Sequence, residues 1–452
     1  MKQFSLIYFL LLISFVQLSC SNNSKDQKLP DVNLDQQLNS LLEVHGQQQG
    51  VSFFQLPSSS DFSNIPQDPK NPITKEKIAL GKFLFHETAI GTKPKYVENA
   101  ETYSCASCHH ADAGFQAGMM QGIGEGGDGF GVRGEGRILS EHTQADSADV
   151  QSVRSPTVLN VAFTELVLWN GQFGAEGQNS GTEAQWTEGS PKAVNHLGFK
   201  GVETQAIAGL AVHRLEIKEW LQDDATYGKL FDDAYANLPK KDRCNAETAG
   251  MAIAAYERTI TAEQAPFQQY LRGNQQALSH EQKQGAILFF GKANCVSCHT
   301  GPALNSDGFH ALGMSDMPEN GRIGTVPLDS RLGRGGFTKN PKDNFKFRTP
   351  QLYNLKDSPF LGHGGSYKSV REVIEYKNLA KADQPEVQQG QLSPAFVGLN
   401  LSAEEINQLT DFIENGLYDP NLRRFVPDVL PSNNCFPNND QQSKMDLGCE
   451  GI

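Results

Sequence analysis

Two short stretches of the sequence carry the residue types and the spacing of a covalent cofactor site. Each has two cysteines three positions apart with a histidine directly after them: Cys105, Cys108 and His109, then Cys295, Cys298 and His299. Two thiols at this spacing can add to the two vinyl groups of one porphyrin, and the next imidazole then lies beneath the iron. The sequence therefore predicts two covalently bound haem c groups with His109 and His299 as proximal ligands.

Other uses of Cys-x-x-Cys are a zinc site, a dithiol redox pair and chance. A zinc site would need a fourth ligand close to each motif, and only His110, beside the first, offers itself. Because the complete motif occurs twice, we interpret the chain as a di-haem cytochrome.

The N-terminal residues indicate export. The apolar stretch from Phe4 to Leu18 is too short to span a bilayer comfortably but suits the core of a signal peptide. Cys20 follows it directly, which favours a lipid anchor on Cys20 and a periplasmic or cell-envelope location, with ordinary cleavage nearby as the alternative. In an oxidising compartment two of the remaining cysteines can pair, and we expect Cys435 to pair with Cys449 rather than with Cys244.

The chain has 452 residues, 38% of them hydrophobic and 20% charged, which is the composition of a globular protein of about two domains. Its net charge of −13 argues against a nucleic-acid partner. An acidic protein of this kind would favour a basic or locally patched redox partner.

Helical patterns must position the two motifs. Leucines at helical spacing predict a helix from about Leu34 to Val44, and Thr74 can cap the next helix, which leads towards Cys105. The second half repeats this plan, because a capping box at Ser279 opens a helix that leads to Cys295. The sequence Gly-Lys-Phe-Leu-Phe from Gly81 is matched by Gly-Ala-Ile-Leu-Phe in the second half, so the halves look like related units.

Further helices are predicted from Ala246 and after a capping box that starts at Ser402, whereas strand signals are weak. The Gly-rich run from Gly122 to Gly127 lacks the flanking strand and helix of a nucleotide site and is predicted to be a loop over the first haem. The fold class is mainly α, with two cytochrome c-like haem domains and long loops. The predicted segments are a signal peptide (1–19), a lipid-anchored segment and linker (20–71), an N-terminal haem domain (72–274), a C-terminal haem domain (275–425) and a Cys-containing tail (426–452).

The chain resembles the bacterial di-haem cytochrome c peroxidase family. The superfamily of that family includes the di-haem enzyme that matures a tryptophan-derived quinone in methylamine dehydrogenase. The similarity runs from about Pro72 to Gly416. It rests on the stretches Leu80–Phe85, Ser155–Asn160, Leu168–Gly171, Ala252–Thr259, Phe347–Asn354 and His363–Ser366.

The resemblance implies a division of labour between the haems. The His109 haem would react with hydrogen peroxide, and the His299 haem would collect electrons from a small cytochrome or copper protein. Trp169 matches the tryptophan that lies between the haems of the family. Glu216 matches the distal acid/base carboxylate, and Gln205 matches a residue of the same pocket.

The distal ligands depart from the family pattern. For the first haem, His142 is the candidate for a reversible ligand, with Met119 and Met120 as weaker ones; otherwise that haem is five-coordinate at rest. For the second haem the expected position falls at Lys377, with Tyr376 beside it and Met314 as a third candidate. His363 is expected to be a structural or haem-edge residue.

Many members of the family also hold calcium between the domains, so calcium is a further candidate cofactor. Arg154 counts against it, because it stands where relatives often carry Asn. The reading favoured by sequence and resemblance together is an exported cytochrome c peroxidase. The alternatives are a di-haem oxidase that modifies a partner protein, as in cofactor maturation, and a non-catalytic electron-transfer cytochrome.

Overall fold

Helices joined by long loops make up most of the structure, a computed structural model that describes residues 33–449. The predicted signal peptide and Cys20 lie outside the described residues. The α-helices are α1 Leu34–His45, α2 Lys75–His86, α3 Gly201–Val212, α4 Glu219–Asp223, α5 Ala225–Ala234, α6 Ala246–Thr259, α7 Pro266–Leu271, α8 His280–Phe290, α9 Leu328–Arg331, α10 Arg334–Thr338, α11 Val370–Leu379, α12 Ala403–Asp411 and α13 Gln441–Leu447. The prediction of a mainly α fold is confirmed.

Strands are short and few in the described part of the chain. β1 (Gly127–Asp128) pairs antiparallel with β2 (Ile138–Leu139), and β3 (Phe309–His310) pairs antiparallel with β4 (Phe347–Arg348). In the first ribbon Gly127 lies opposite Leu139, and in the second Phe309 lies opposite Arg348. Residues 34–449 belong to one compact unit, and the predicted division into two haem domains stays a prediction.

The predicted caps set the helix starts. The Thr74 hydroxyl accepts a 3.2 Å hydrogen bond from the backbone N–H of Lys77 at the start of α2. Ser279 forms a reciprocal capping box with Gln282 on α8, and Ser402 forms one with Glu405 on α12. Each cap satisfies backbone donors that the first helical turn leaves open.

The two halves repeat one helix contact. α2 packs on α6, and a Cβ at Gly81 would overlap the backbone carbonyl of Ala252. α8 packs on α12, and a Cβ at Gly285 would overlap the backbone carbonyl of Gln408. The shared glycine of the two sequence repeats therefore marks the same close helix crossing in each half.

A buried ion pair ties α3 to α6. The Arg258 guanidinium donates two hydrogen bonds to the Glu203 carboxylate, at 2.8 and 2.6 Å, and both side chains are almost fully buried. This bidentate pairing offsets part of the large cost of removing both charges from water, so α3 is held in one orientation.

The C-terminal tail lies against the first motif. Cys435 and Cys449 form a disulfide, as predicted. Within the tail, the carbonyl of Pro437 accepts a 2.9 Å hydrogen bond from the Ser104 hydroxyl, and the amide oxygen of Asn438 accepts one from Ser107. The tail thus covers the turn that carries the first pair of haem thiols.

In the part of the chain that the structure describes, no helix is both long and apolar enough to cross a membrane.

Candidate active site

Both Cys-x-x-Cys-His motifs fold into the same short turn. Cys105–Ser107 and Cys295–Ser297 are 3₁₀ turns. The backbone N–H of His109 donates to the Cys105 carbonyl at 3.2 Å, and that of His299 donates to the Cys295 carbonyl at 2.9 Å. The four thiols are free rather than paired with one another. The turns therefore present two thiols and an imidazole in a fixed order, as covalent haem attachment requires.

Burial keeps both motif imidazoles neutral, and hydrogen bonds fix the tautomer of His299. Nδ1 of His299 lies 3.1 Å from the carbonyl oxygens of Leu304 and Pro350, which only accept, so Nδ1 carries the proton and Nε2 keeps its lone pair. Burial lowers the pKa of His109 and of His299 to about 4. Both rings are therefore neutral near pH 7.

The second motif opens into a cavity whose wall is largely apolar. His299, Cys295 and Cys298 line it together with a group of aliphatic and aromatic side chains: Phe289, Leu352, Leu355, Val373, Ile374, Leu409 and Ile413. An apolar wall beside two thiols and a neutral imidazole fits a porphyrin and its iron.

Trp169 lines the same cavity. Its indole N–H donates a 2.8 Å hydrogen bond to the backbone carbonyl of Arg154, and its ring makes an edge contact with His363 at 6.4 Å between centroids. His363 is buried, stacks on Phe347 and approaches Asp316 at 3.1 Å. The predicted place of Trp169 between two haems is not tested by these contacts and stays a prediction.

Arg154 joins the segment after the first motif to the second half. Its side chain is 2% exposed and donates to the carbonyls of Met119 and Ala117, at 2.6 and 2.8 Å, and to the Ser358 hydroxyl at 2.5 Å. Burial lowers the pKa of Arg154 to about 9. The guanidinium therefore remains a buried cation at neutral pH, bound by neutral oxygens.

The three candidates for the distal ligand of the second haem lie in different surroundings. Lys377 and Met314 line the cavity with His299. The Tyr376 hydroxyl instead donates a 2.5 Å hydrogen bond to the carbonyl of Leu312, and Tyr376 is absent from the cavity lining. Burial lowers the pKa of Lys377, although the nearby thiols of Cys298 and Cys295 oppose this. The amine is thereby shifted towards the neutral form that can bind iron.

Glu216, the candidate acid/base group, is held in a cationic cluster. Its carboxylate lies 2.6 Å from Nζ of Lys93 and 3.2 Å from Nζ of Lys218, and it accepts a hydrogen bond from Thr92 at 3.1 Å. The hydrogen bond from Lys93 is the main reason why the pKa of Glu216 is lowered. The structure therefore shows Glu216 as an ion-paired carboxylate.

His142, the candidate ligand of the first haem, has a side chain that is 54% exposed and lies 3.4 Å from the carboxylate of Glu141. The Met119 carbonyl is bound by Arg154. Neither contact places the side chain of His142 or Met119 near His109.

The Gly-rich run lies against the first motif, and its predicted place over the first haem stays a prediction. A Cβ at Gly122 would stand 2.8 Å from Sγ of Cys108, and a Cβ at Gly124 would stand 2.5 Å from Oδ2 of Asp149. Glycine is therefore required for the backbone to pass this close to both groups.

One residue beside the first motif was not predicted from the sequence. His213 follows α3 directly, its Nδ1 lies 2.8 Å from the carboxylate of Asp149, and after burial its charge also lowers the pKa of His109. The signal was the spacing on α3, because Gln205 and His213 are eight residues apart and share a helix face.

Comparison with known proteins places the chain among haem enzymes. The family model described as "Di-haem cytochrome c peroxidase" matches residues 75–276. Cytochrome-c peroxidase IdrP1 of Denitromonas iodatirespirans is 28% identical over 384 residues, covering 79% of this chain and 86% of the relative. Methylamine utilization protein MauG of Methylorubrum extorquens is 25% identical over 360 residues, covering 79% and 82%.

Among solved structures, a MauG-like protein associated with microbial copper homeostasis shares the fold. Its TM-score is 0.55 at 22% identity, and the alignment covers 81% of this chain and 95% of that one.

Proposed function

Since the chain belongs to the di-haem cytochrome c peroxidase family, we propose that it is an exported peroxidase that reduces hydrogen peroxide to water. The reaction consumes one peroxide, two electrons and two protons and yields two waters. The electrons would come singly from a small cytochrome or copper protein. A haem c at each motif would supply the iron that binds peroxide or stores an electron.

One arrangement carries this proposal. Trp169 lines the cavity of the second motif, and its indole is bound to the Arg154 backbone, whose side chain contacts the segment after the first motif. An aromatic ring in this place can assist electron transfer from the His299 haem to the His109 haem. The proposal therefore keeps the His299 haem as the electron store and the His109 haem as the site of peroxide reduction.

The roles of Gln205 and Glu216 in this proposal are inferred from the family resemblance. A proton carrier works best when its pKa is near the working pH, and the ion pairs with Lys93 and Lys218 hold Glu216 ionised. Glu216 can take part only if these ion pairs open when peroxide binds.

The second candidate function is oxidation of a partner protein, which the similarity to MauG favours. In the superfamily, a tyrosine ligand on the second haem accompanies that activity. Here the Tyr376 hydroxyl is engaged by Leu312, whereas Lys377 and Met314 line the cavity. This difference favours peroxide reduction.

We further propose export, with a lipid on Cys20, on the strength of the sequence pattern alone. The mass of the mature protein tests the lipidation, because a lipid anchor would add the mass of its acyl chains at Cys20. The proposal of a bound calcium ion is based on the family resemblance alone. Within residues 33–449 no group of three His, Cys, Asp or Glu side chains is placed to hold a metal ion.

The decisive experiment measures peroxide-dependent oxidation of a reduced small cytochrome by the haem-loaded protein, both fully reduced and half-reduced. Turnover by the wild type supports the proposal, and Glu216→Gln should lower it by about 100-fold if Glu216 carries the proton. Absence of turnover in both redox states, with both haems loaded, would contradict the peroxidase function.

A further inference from the structure

From Gly201 to Leu210, α3 is enclosed on every side except along one strip. Between positions 201 and 210 every residue is buried except Gln205 and Gly209, which are half-buried, as is His213 just after the helix. A Cβ at Gly209 would lie 3.4 Å from Nε2 of Gln205 and 3.9 Å from Cδ2 of His213. The amide and the imidazole therefore share one face, and the glycine between them leaves that face open.

Asp149 fixes the orientation of the His213 ring. Its Oδ2 lies 2.8 Å from Nδ1 of His213, and the Asp149 side chain is 6% exposed against 34% for His213. An ionised carboxylate only accepts hydrogen bonds, so Nδ1 carries the proton and Nε2 keeps its lone pair. Within the described residues Nε2 of His213 makes no hydrogen bond, so it is available to a ligand.

The pair stands at the first haem motif. A Cβ at Gly124 would lie 2.5 Å from Oδ2 of Asp149, and a Cβ at Gly122 would lie 2.8 Å from Sγ of Cys108. The Gly-rich run connects them, since its backbone N–H at Gly124 donates to the Asp149 carbonyl at 2.9 Å and Gly122 lies against Cys108.

We propose that His213, oriented by Asp149, is a proton-transfer group of the first haem site. This inference rests on the proposed peroxide reduction. Nε2 would accept the proton from one peroxide oxygen and return it to the other, which leaves as water when the O–O bond breaks. The remaining oxygen takes two electrons from the redox donor and two protons from solvent and becomes the second water.

The electrostatics of the pair agree with this role. Burial opposes protonation of His213, but the charge of Asp149 and its hydrogen bond outweigh burial and raise the pKa of His213. The imidazole can therefore hold a proton more readily than an isolated one. Unlike Glu216, it needs no ion pair with lysine to open.

Cyanide binding tests the proposal without turnover, because hydrogen cyanide must lose its proton to bind ferric haem. In the haem-loaded protein, His213→Gln should slow cyanide binding to the first haem by about 100-fold, and Asp149→Asn should slow it less. His196→Gln replaces an exposed histidine of the same half and should leave the rate unchanged. Haem content and circular dichroism establish that each variant is folded, and Asp149→Asn replaces His213→Gln as the test if the latter fails to fold.

An unchanged cyanide rate in folded His213→Gln would overturn the proposal. So would conversion of the first haem from low spin to high spin in that variant, because it would identify His213 as an iron ligand. A slow cyanide rate in His213→Gln, together with a wild type that does not turn over peroxide, would leave the assignment of His213 standing and refute the peroxidase function.

Discussion

The indole N–H of Trp169 donates a 2.8 Å hydrogen bond to the backbone carbonyl of Arg154, whose guanidinium is bound by carbonyl oxygens of the segment after the first motif. One residue thus contacts the aromatic ring on the wall of the second cavity and the chain that leaves the first haem turn. The proposed electron path between the haems would pass through this contact.

Replacing the indole should slow that crossing. We expect Trp169→Phe to lower peroxide turnover by at least about tenfold, which is about 1.4 kcal/mol in the barrier, while both haems still load. The measurement is the rate at which the reduced second haem is reoxidised after peroxide is mixed in. Trp186→Phe is the matched control, since Trp186 is buried elsewhere against His196. Equal rates in the two variants would exclude Trp169 from the electron path.

Removing the buried cation should cost stability and lower a haem potential. Arg154→Met leaves carbonyls of Met119 and Ala117 without their donor, and buried acceptors that lose a partner cost about 1–3 kcal/mol each. Loss of a positive charge near the haems also favours the oxidised iron. Urea unfolding and redox titration measure the two effects. Arg423→Met, at a side chain 74% exposed, should change stability by less than about 0.5 kcal/mol.

The distal ligand of the second haem should be one of the residues that line the cavity. We expect Lys377→Ala to change the absorption spectrum of the His299 haem and Tyr376→Phe to leave it unchanged, because Lys377 lines that cavity and Tyr376 does not. Lys381→Ala, at an exposed lysine just beyond α11, serves as the control. A spectral change in Met314→Leu alone would assign the ligand to methionine.

Glu257 should make the protein less stable as the pH rises. Burial raises its pKa to about 8, with Glu203 adding to the effect and Arg258 opposing it, from an ordinary value of 4.5. Between these values the folded chain holds a proton that the unfolded chain has lost, so the free energy of unfolding falls as pH rises through this window.

Glu257→Gln removes this titratable group, so the free energy of unfolding should depend less on pH. Above pH 8 the variant should be more stable than the wild type. Urea unfolding of the haem-loaded protein on both sides of the window measures this. Glu247→Gln, at the exposed start of the same helix, should run parallel to the wild type.

Local signals predicted the fold well, because helix starts and haem turns depend on residues a few positions apart. Thr74, Ser279 and Ser402 each cap the helix that the sequence predicts to begin after them. The pairing of Cys435 with Cys449 was also predictable, since both lie in one short polar tail.

The site was harder to predict because its contacts join distant parts of the chain. Nothing near Glu216 in the sequence shows that Lys93 will neutralise it, and nothing near His213 shows that Asp149 will hold it. At α11 a change of one residue turns a side chain by about a quarter of the helix circumference. Counting along the sequence therefore could not separate Lys377 from Tyr376.

The C-terminal tail also sets an order on maturation. Its contacts at Ser104 and Ser107 cover the residues beside Cys105 and Cys108, so an enzyme that attaches haem must reach these thiols before the tail closes. The disulfide between Cys435 and Cys449 then fixes the tail in this position. We therefore expect haem attachment at the first site to precede oxidation of this cysteine pair.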